Sequence, residues 1–228
     1  MGKLASNWHV NNKSKSLACG KCLYDGVMIK QQNSEMRLYL KSGDRLYVNQ
    51  DERLRFLAAC ETSERHVRTF CMTLAYTGCR ISEALELTVA SVQLEQKIIS
   101  IHSLKKRNKH IVREVPIPNV LADALGEVHE IKNQQNNMCR ANNIPLWPIS
   151  RSTAWRQSKL VMRKAHITGA QATPKGLRHG YGIHAMQSGI QLNMLQKWMG
   201  HADMKTTAIY ANAVGKEEQD IAARMWEE

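Results

Sequence analysis

The residues most able to do chemistry lie between Pro174 and Tyr210. The stretch reads Pro174-Lys175-Gly176-Leu177-Arg178-His179, continues through a helix-like run to Met199-Gly200-His201-Ala202-Asp203, and closes on Thr206-Thr207-Ala208-Ile209-Tyr210. Cations and imidazoles recur here with no carboxylate to neutralise them until Asp203. That set suits a phosphodiester. A guanidinium can fork two non-bridging oxygens, and a phenol can attack phosphorus as a covalent nucleophile.

The spacing resembles the carboxy-terminal signature of the tyrosine recombinase (phage integrase) family. That signature is a His or Lys, an Arg three positions on and usually a His after it, then a later Gly-His, then a nucleophilic Tyr nine residues beyond. Here the positions are Lys175, Arg178, His179, Gly200-His201 and Tyr210. An earlier piece, Thr77-Gly78-Cys79-Arg80-Ile81-Ser82-Glu83-Ala84-Leu85, resembles the family's first-arginine motif. The likeness runs over residues 48 to 215, the extent of the family's catalytic domain, and the family's amino-terminal DNA-binding domain is not visible.

The resemblance implies a role for each residue. Arg80 and Arg178 would hold the scissile phosphate and stabilise the pentavalent transition state, where losing such a group costs about 3 kcal/mol or more of barrier. Glu83 would orient Arg80. Lys175 stands where the family more often has His. It is an accepted variant, but a Lys is a cationic donor that does not shuttle a proton at neutral pH unless its pKa is lowered, so phosphate contact is its expected part. His201 would touch the phosphate or position Tyr210. A hairpin lysine, Lys105 or Lys106, would protonate the 5′ leaving oxygen; strand alternation places Lys105 in phase with Ile101 and favours it. Tyr210 would form a 3′-phosphotyrosine that stores the bond energy, so no cofactor and no metal is expected. His179, one place after Arg178 in a helix, reads as packing. Tyr76 and Tyr181 read as core tyrosines.

Charge points the same way. The 228 residues carry a net charge of +12, with a pI near 9.6, which favours a polyanionic partner. Two windows lack any acid: Ile131 through Ala202, and Gln96 through Arg113. Double-stranded DNA is the expected partner. The six cysteines are scattered, which suits a reduced, cytoplasmic protein, and the DNA partner implies association with the nucleoid. Cys19-Gly20-Lys21-Cys22 is a lone C-x-x-C; structural zinc takes four ligands, no second pair stands nearby, and the motif reads as a surface turn. No stretch is apolar enough to span a membrane.

The elements that must position these residues read as α+β, mostly helical with a small antiparallel sheet, and the resemblance implies a catalytic domain of the DNA breaking-rejoining type. Residues 1–47 read as an arm-like extension and 48–228 as the catalytic domain. Asn49 to Glu52 has the form of a capping box. Thr62 or Ser63 is expected to cap the next helix, whose stripe Val67, Phe70, Cys71, Leu74 and Ala75 is core. Gly78 ends that helix, and Ser82 begins a short one. Ile99 and Ile101 mark a strand that returns from Ile111 to Val115 after a basic turn. Asn119 is expected to cap a helix to Val128, 133–150 to be mostly loop, and Ser152 to start a helix to Ala165. Helices then cover 175–187 and 191–199, and a short one after Asp203 carries Tyr210. A last amphipathic helix, Glu217 to Trp226, shows Ile221, Met225 and Trp226 on one face.

Together these features predict site-specific DNA recombination or integration by strand cleavage and rejoining, as in mobile elements. The final helix is expected to dock on its own domain or on a neighbouring protomer of a tetrameric synaptic complex. Two alternatives are type IB topoisomerase-like relaxation and a non-catalytic DNA-binding regulator derived from an integrase.

Overall fold

The computed structural model describes residues 37–103, 111–136 and 143–212, together with 219, 222, 223, 225 and 226. Helix α1 (Gln50–Glu61) opens on the reciprocal cap read from the sequence. Asn49 Oδ1 accepts the Glu52 N–H at 2.9 Å and the Glu52 carboxylate accepts the Asn49 N–H at 3.1 Å. Thr62 and Ser63 do not begin the next helix. Both hydroxyls donate back to the Ala59 carbonyl and close α1, and α2 (Arg65–Thr77) starts after Glu64 with no side-chain cap.

Helix α2 is buried well beyond its apolar stripe. Thr69, Thr73 and Thr77 are inside as well. Their hydroxyls donate to the carbonyls of His66, Thr69 and Thr73, so no buried hydroxyl goes unpaired. Gly78 ends α2 in the left-handed region, φ 59°, and α3 (Ile81–Leu85) begins one residue before Ser82, entered from Arg80 at its N-cap.

Strands β1 (Val92–Gln93), β2 (Ile98–His102) and β3 (Val112–Pro116) form an antiparallel sheet in that order. The two-residue β1 is too short to leave an alternating signal. Ile99 pairs with Val115 and Ile101 with Arg113, so Arg113 shares the buried face. Helix α4 (Asn119–Val128) is entered from Pro118, not capped by Asn119. Helix α5 (Ile131–Gln135) replaces the start of the expected loop, and Leu146 and Trp147 in the rest of it are buried. Ser150, not Ser152, caps α6 (Arg151–Lys164), accepting the Thr153 N–H at 3.1 Å.

Helix α7 (Pro174–Gln187) is capped by Thr173, with proline at its first position. Helix α8 (Leu192–Met199) ends at Gly200, φ 63°. Helix α9 (Met204–Ala208) is capped by Asp203 and leads into a 3₁₀ turn, Ile209–Asn212, which carries Tyr210 in place of the helix itself.

One large apolar cluster joins α1, α2, the sheet, α4 and α6. A second gathers Leu38, Tyr47, Tyr181, Ile183, Leu195 and Met199 around Tyr210. Tyr181 is buried as expected, whereas Tyr76 is half-buried with the Arg53 guanidinium 5.3 Å from its ring centroid. Met225 and Trp226 are exposed. Lys105, Lys106, Cys19, Cys22 and Ile221 lie outside the described residues. Among the described residues no helix is long and apolar enough to cross a membrane.

Candidate active site

The turn between α2 and α3 sets Arg80. Gly78 is needed there twice over: its φ is positive, and a Cβ would sit 2.3 Å from the Tyr181 ring. The chain then extends to Arg80, whose N–H donates to Glu83 Oε2 at 2.9 Å while its guanidinium meets Oε1 at 2.7 Å. Arg80 keeps 26% exposure and borders a cleft of about 650 Å³. Glu83 is buried, and its Oε2 also accepts from Arg113 at 2.6 Å. Burial, the largest influence, raises the Glu83 pKa. Arg113, with the N–H and the charge of Arg80, outweighs it and leaves the pKa below the ordinary carboxylate value.

Arg178 is buried on the second turn of α7 and is hydrogen-bonded to no carboxylate among the described residues. It donates to the Gly78 carbonyl at 2.6 Å, the Met199 carbonyl at 2.6 Å and His201 Nε2 at 2.9 Å. Burial, then the charge of Arg80, lowers its pKa to about 10, so it stays cationic at neutral pH. A buried cation held by carbonyls and a neutral imidazole is an unneutralised charge aimed at an anion.

His201 follows the left-handed Gly200. A guanidinium only donates, so Nε2 accepts from Arg178 and the proton sits on Nδ1, which donates to Thr207 Oγ1 at 2.9 Å. Burial, then Arg178 and Arg80, depresses the His201 pKa to about 3. Its ring stacks on Tyr210, with centroids 6.3 Å apart and planes 17° apart.

Tyr210 is fully buried. Its ring lies against Gly182 of α7, where a Cβ would stand 2.7 Å from three ring atoms. The phenol is 3.2 Å from His179 Nδ1. Burial raises its pKa to about 12, against the opposing pull of Arg178 and Arg80.

The structure therefore brings together Arg80, Arg178, His201 and Tyr210. Lys175 is exposed at the start of α7. The strands leading to Lys105 border the cleft through Ser103, Val112 and Arg113. One contact and one residue escaped the sequence reading. His179 does pack, but it also meets the Tyr210 phenol, a contact that no spacing rule reveals. Arg113 was counted only as part of a basic window, although alternation with Val115 put it on the inward face. It ties Glu83 to Ser103 Oγ at 3.1 Å and to the Trp198 carbonyl at 2.7 Å.

The model of the phage integrase family matches residues 46–217. The chain belongs to that family. Among relatives, this integrase-family chain is 30% identical over 153 residues to tyrosine recombinase XerD of Halalkalibacterium halodurans, covering 64% of this chain and 49% of that protein. It is 29% identical over 167 residues to tyrosine recombinase XerA of Pyrococcus furiosus, covering 69% and 54%. The chain spans about half the length of these relatives. A crystal structure of XerA recombinase superposes with a TM-score of 0.67 at 24% identity, covering 80% of this chain and 65% of that one. The XerH site-specific recombinase bound to its difH substrate, in a pre-cleavage complex, gives 0.63 at 20% identity, covering 83% and 60%. The α+β fold, mostly helical with a small antiparallel sheet, is that of tyrosine recombinase catalytic domains.

Proposed function

We propose that this chain cuts and rejoins double-stranded DNA at specific sites through a 3′-phosphotyrosine on Tyr210. The observation that carries the reading is Arg178: a buried guanidinium with no carboxylate hydrogen-bonded to it among the described residues, in one constellation with Arg80, His201 and Tyr210. Arg80 and Arg178 take the non-bridging oxygens, His201 holds Arg178 and covers Tyr210, and Lys175 adds a phosphate contact. Lys105 protonates the 5′ oxygen. The recombinases named above favour recombination over plain relaxation. Tyr210 has no solvent exposure, so DNA binding must open the Tyr210 seat to the phosphate. Exposed Met225 and Trp226 are free to dock on a neighbouring protomer, which suits a synaptic tetramer closed head to tail. Acting on DNA, the protein would work at the nucleoid.

The test is a nicked suicide duplex selected from a randomised pool by SDS-stable attachment to the protein. The expected adduct maps to Tyr210 and is absent in Tyr210→Phe. An adduct that survives in the variant, or no adduct from any pool, refutes the reading.

A further inference from the structure

A phenol that attacks phosphorus must lose its proton, and buried Tyr210 holds its proton at neutral pH. The site therefore needs an acceptor. Lys175, at the position where the family more often has His, is an exposed cation with no lone pair to offer. His201 has one lone pair, on Nε2, and the Arg178 guanidinium occupies it at 2.9 Å; its other nitrogen is committed to Thr207. Arg178 and Arg80 only donate.

Among the described residues one nitrogen remains. His179 Nδ1 lies 3.2 Å from the Tyr210 oxygen, with the rings tilted by 56° and centroids 5.9 Å apart. His179 is buried one helical turn after Lys175, and its Nε2 has no hydrogen-bond partner among the described residues. Resting on the function proposed above, we propose that His179 is the general base of this chain: its Nδ1 takes the phenolic proton as Tyr210 attacks, and returns it on rejoining.

The step balances. The Tyr210 oxygen bonds to phosphorus, the bond from phosphorus to the 5′ oxygen breaks, and the phenolic proton passes to Nδ1. The 5′ oxygen takes its proton from the general acid. In the reverse direction the 5′ hydroxyl attacks and gives its proton back to the general acid, the bond from phosphorus to the tyrosine oxygen breaks, and Nδ1–H reprotonates that oxygen. The groups facing the ring keep it ready. Burial first, then Lys175 and Arg178 on the same helix, lowers its pKa to about 4, so the ring is a free base at neutral pH. Tyr210 and His201 also face it. With no partner on Nε2 among the described residues, the imidazolium is disfavoured and readily gives its proton back.

The experiment measures single-turnover adduct formation on the selected nicked duplex. His179→Ala should slow it on the order of 100-fold or more. Imidazole and methylimidazoles added to the variant should restore rate in order of their basicity. His179→Asn, which can hydrogen-bond the phenol but not take its proton, should be slow and unrescued. A His179→Ala rate equal to or above wild type overturns the proposal and makes the contact a latch on Tyr210. A loss that no imidazole restores reduces His179 to packing. Should the variants not fold, ¹⁵N-histidine NMR of the wild type decides: a neutral ring protonated on Nε2 is expected, and a proton fixed on Nδ1 overturns it. Wild-type adduct with an indifferent His179 sinks this inference alone, whereas no wild-type adduct sinks the function on which it rests.

Discussion

Replacing Arg113 with alanine should destabilise the fold by about 3 kcal/mol and disable the site with it. The Arg113–Glu83 pair is 2.6 Å long, with 3% and 1% of the two side chains exposed. Removing one partner of a buried pair typically costs about 3–5 kcal/mol, because the other charge stays buried. Glu83 keeps Arg80, which argues for the lower end, although the Trp198 carbonyl also loses its donor. The same pair predicts a pH signature. The folded pKa of Glu83 is lowered, so its contribution is fully present above the unfolded glutamate value, about 4.3, and is lost as pH falls through the folded pKa. The penalty of Arg113→Ala should therefore be full at pH 7 and shrink below about pH 4. Urea unfolding at both pH values measures it. With the m-value unchanged, the midpoint should drop by the penalty divided by m. A loss below about 1 kcal/mol at pH 7 would show that Arg80 alone suffices for Glu83, and that Arg113 is not the tie between the sheet and α3.

Arg80→Ala and Arg178→Ala should each slow adduct formation by about 100-fold or more; a wild-type rate in single-turnover cleavage would remove that arginine from the site. Gly182→Ala should cost about 1–3 kcal/mol by overpacking, because its Cβ would stand 2.7 Å from the Tyr210 ring, and should expose Tyr210 to nitration; an unchanged melting temperature with an unreactive Tyr210 contradicts the seat described here. DNA affinity should fall steeply with salt, with a log–log slope of about −5 if about six phosphates are met, and a slope near zero in a gel-shift titration would remove the basic windows from the interface.

The fold was legible wherever one residue's local chemistry decides an element. Asn49 with Glu52, Gly78 and Gly200 mark boundaries that the backbone then respects, and Ile99 with Ile101 betray a strand by alternation. Illegible features depend on neighbours far along the chain. Ser150 and Ser152 are equally good caps by type, and only the tertiary path selects Ser150. Leu146 and Trp147 looked like loop residues because no period reports burial by another segment; Leu146 is held by the Leu87 carbonyl at 2.9 Å. The site divides in the same way. Arg80, Arg178, His201 and Tyr210 were readable because the motif spacing carries them, yet their physical states were not. Arg178 read as a cation free of acids, but its burial, and the three acceptors that replace water, arise from Gly78, Met199 and His201, which only folding assembles. His179 shows why this matters. By sequence it is a position of the signature, one place after an arginine, that reads as packing. In the fold, Gly182 on the same helix lacks a Cβ, so the Tyr210 ring closes onto α7. That close approach brings the phenol to Nδ1 and makes a packing histidine a candidate for the chemistry.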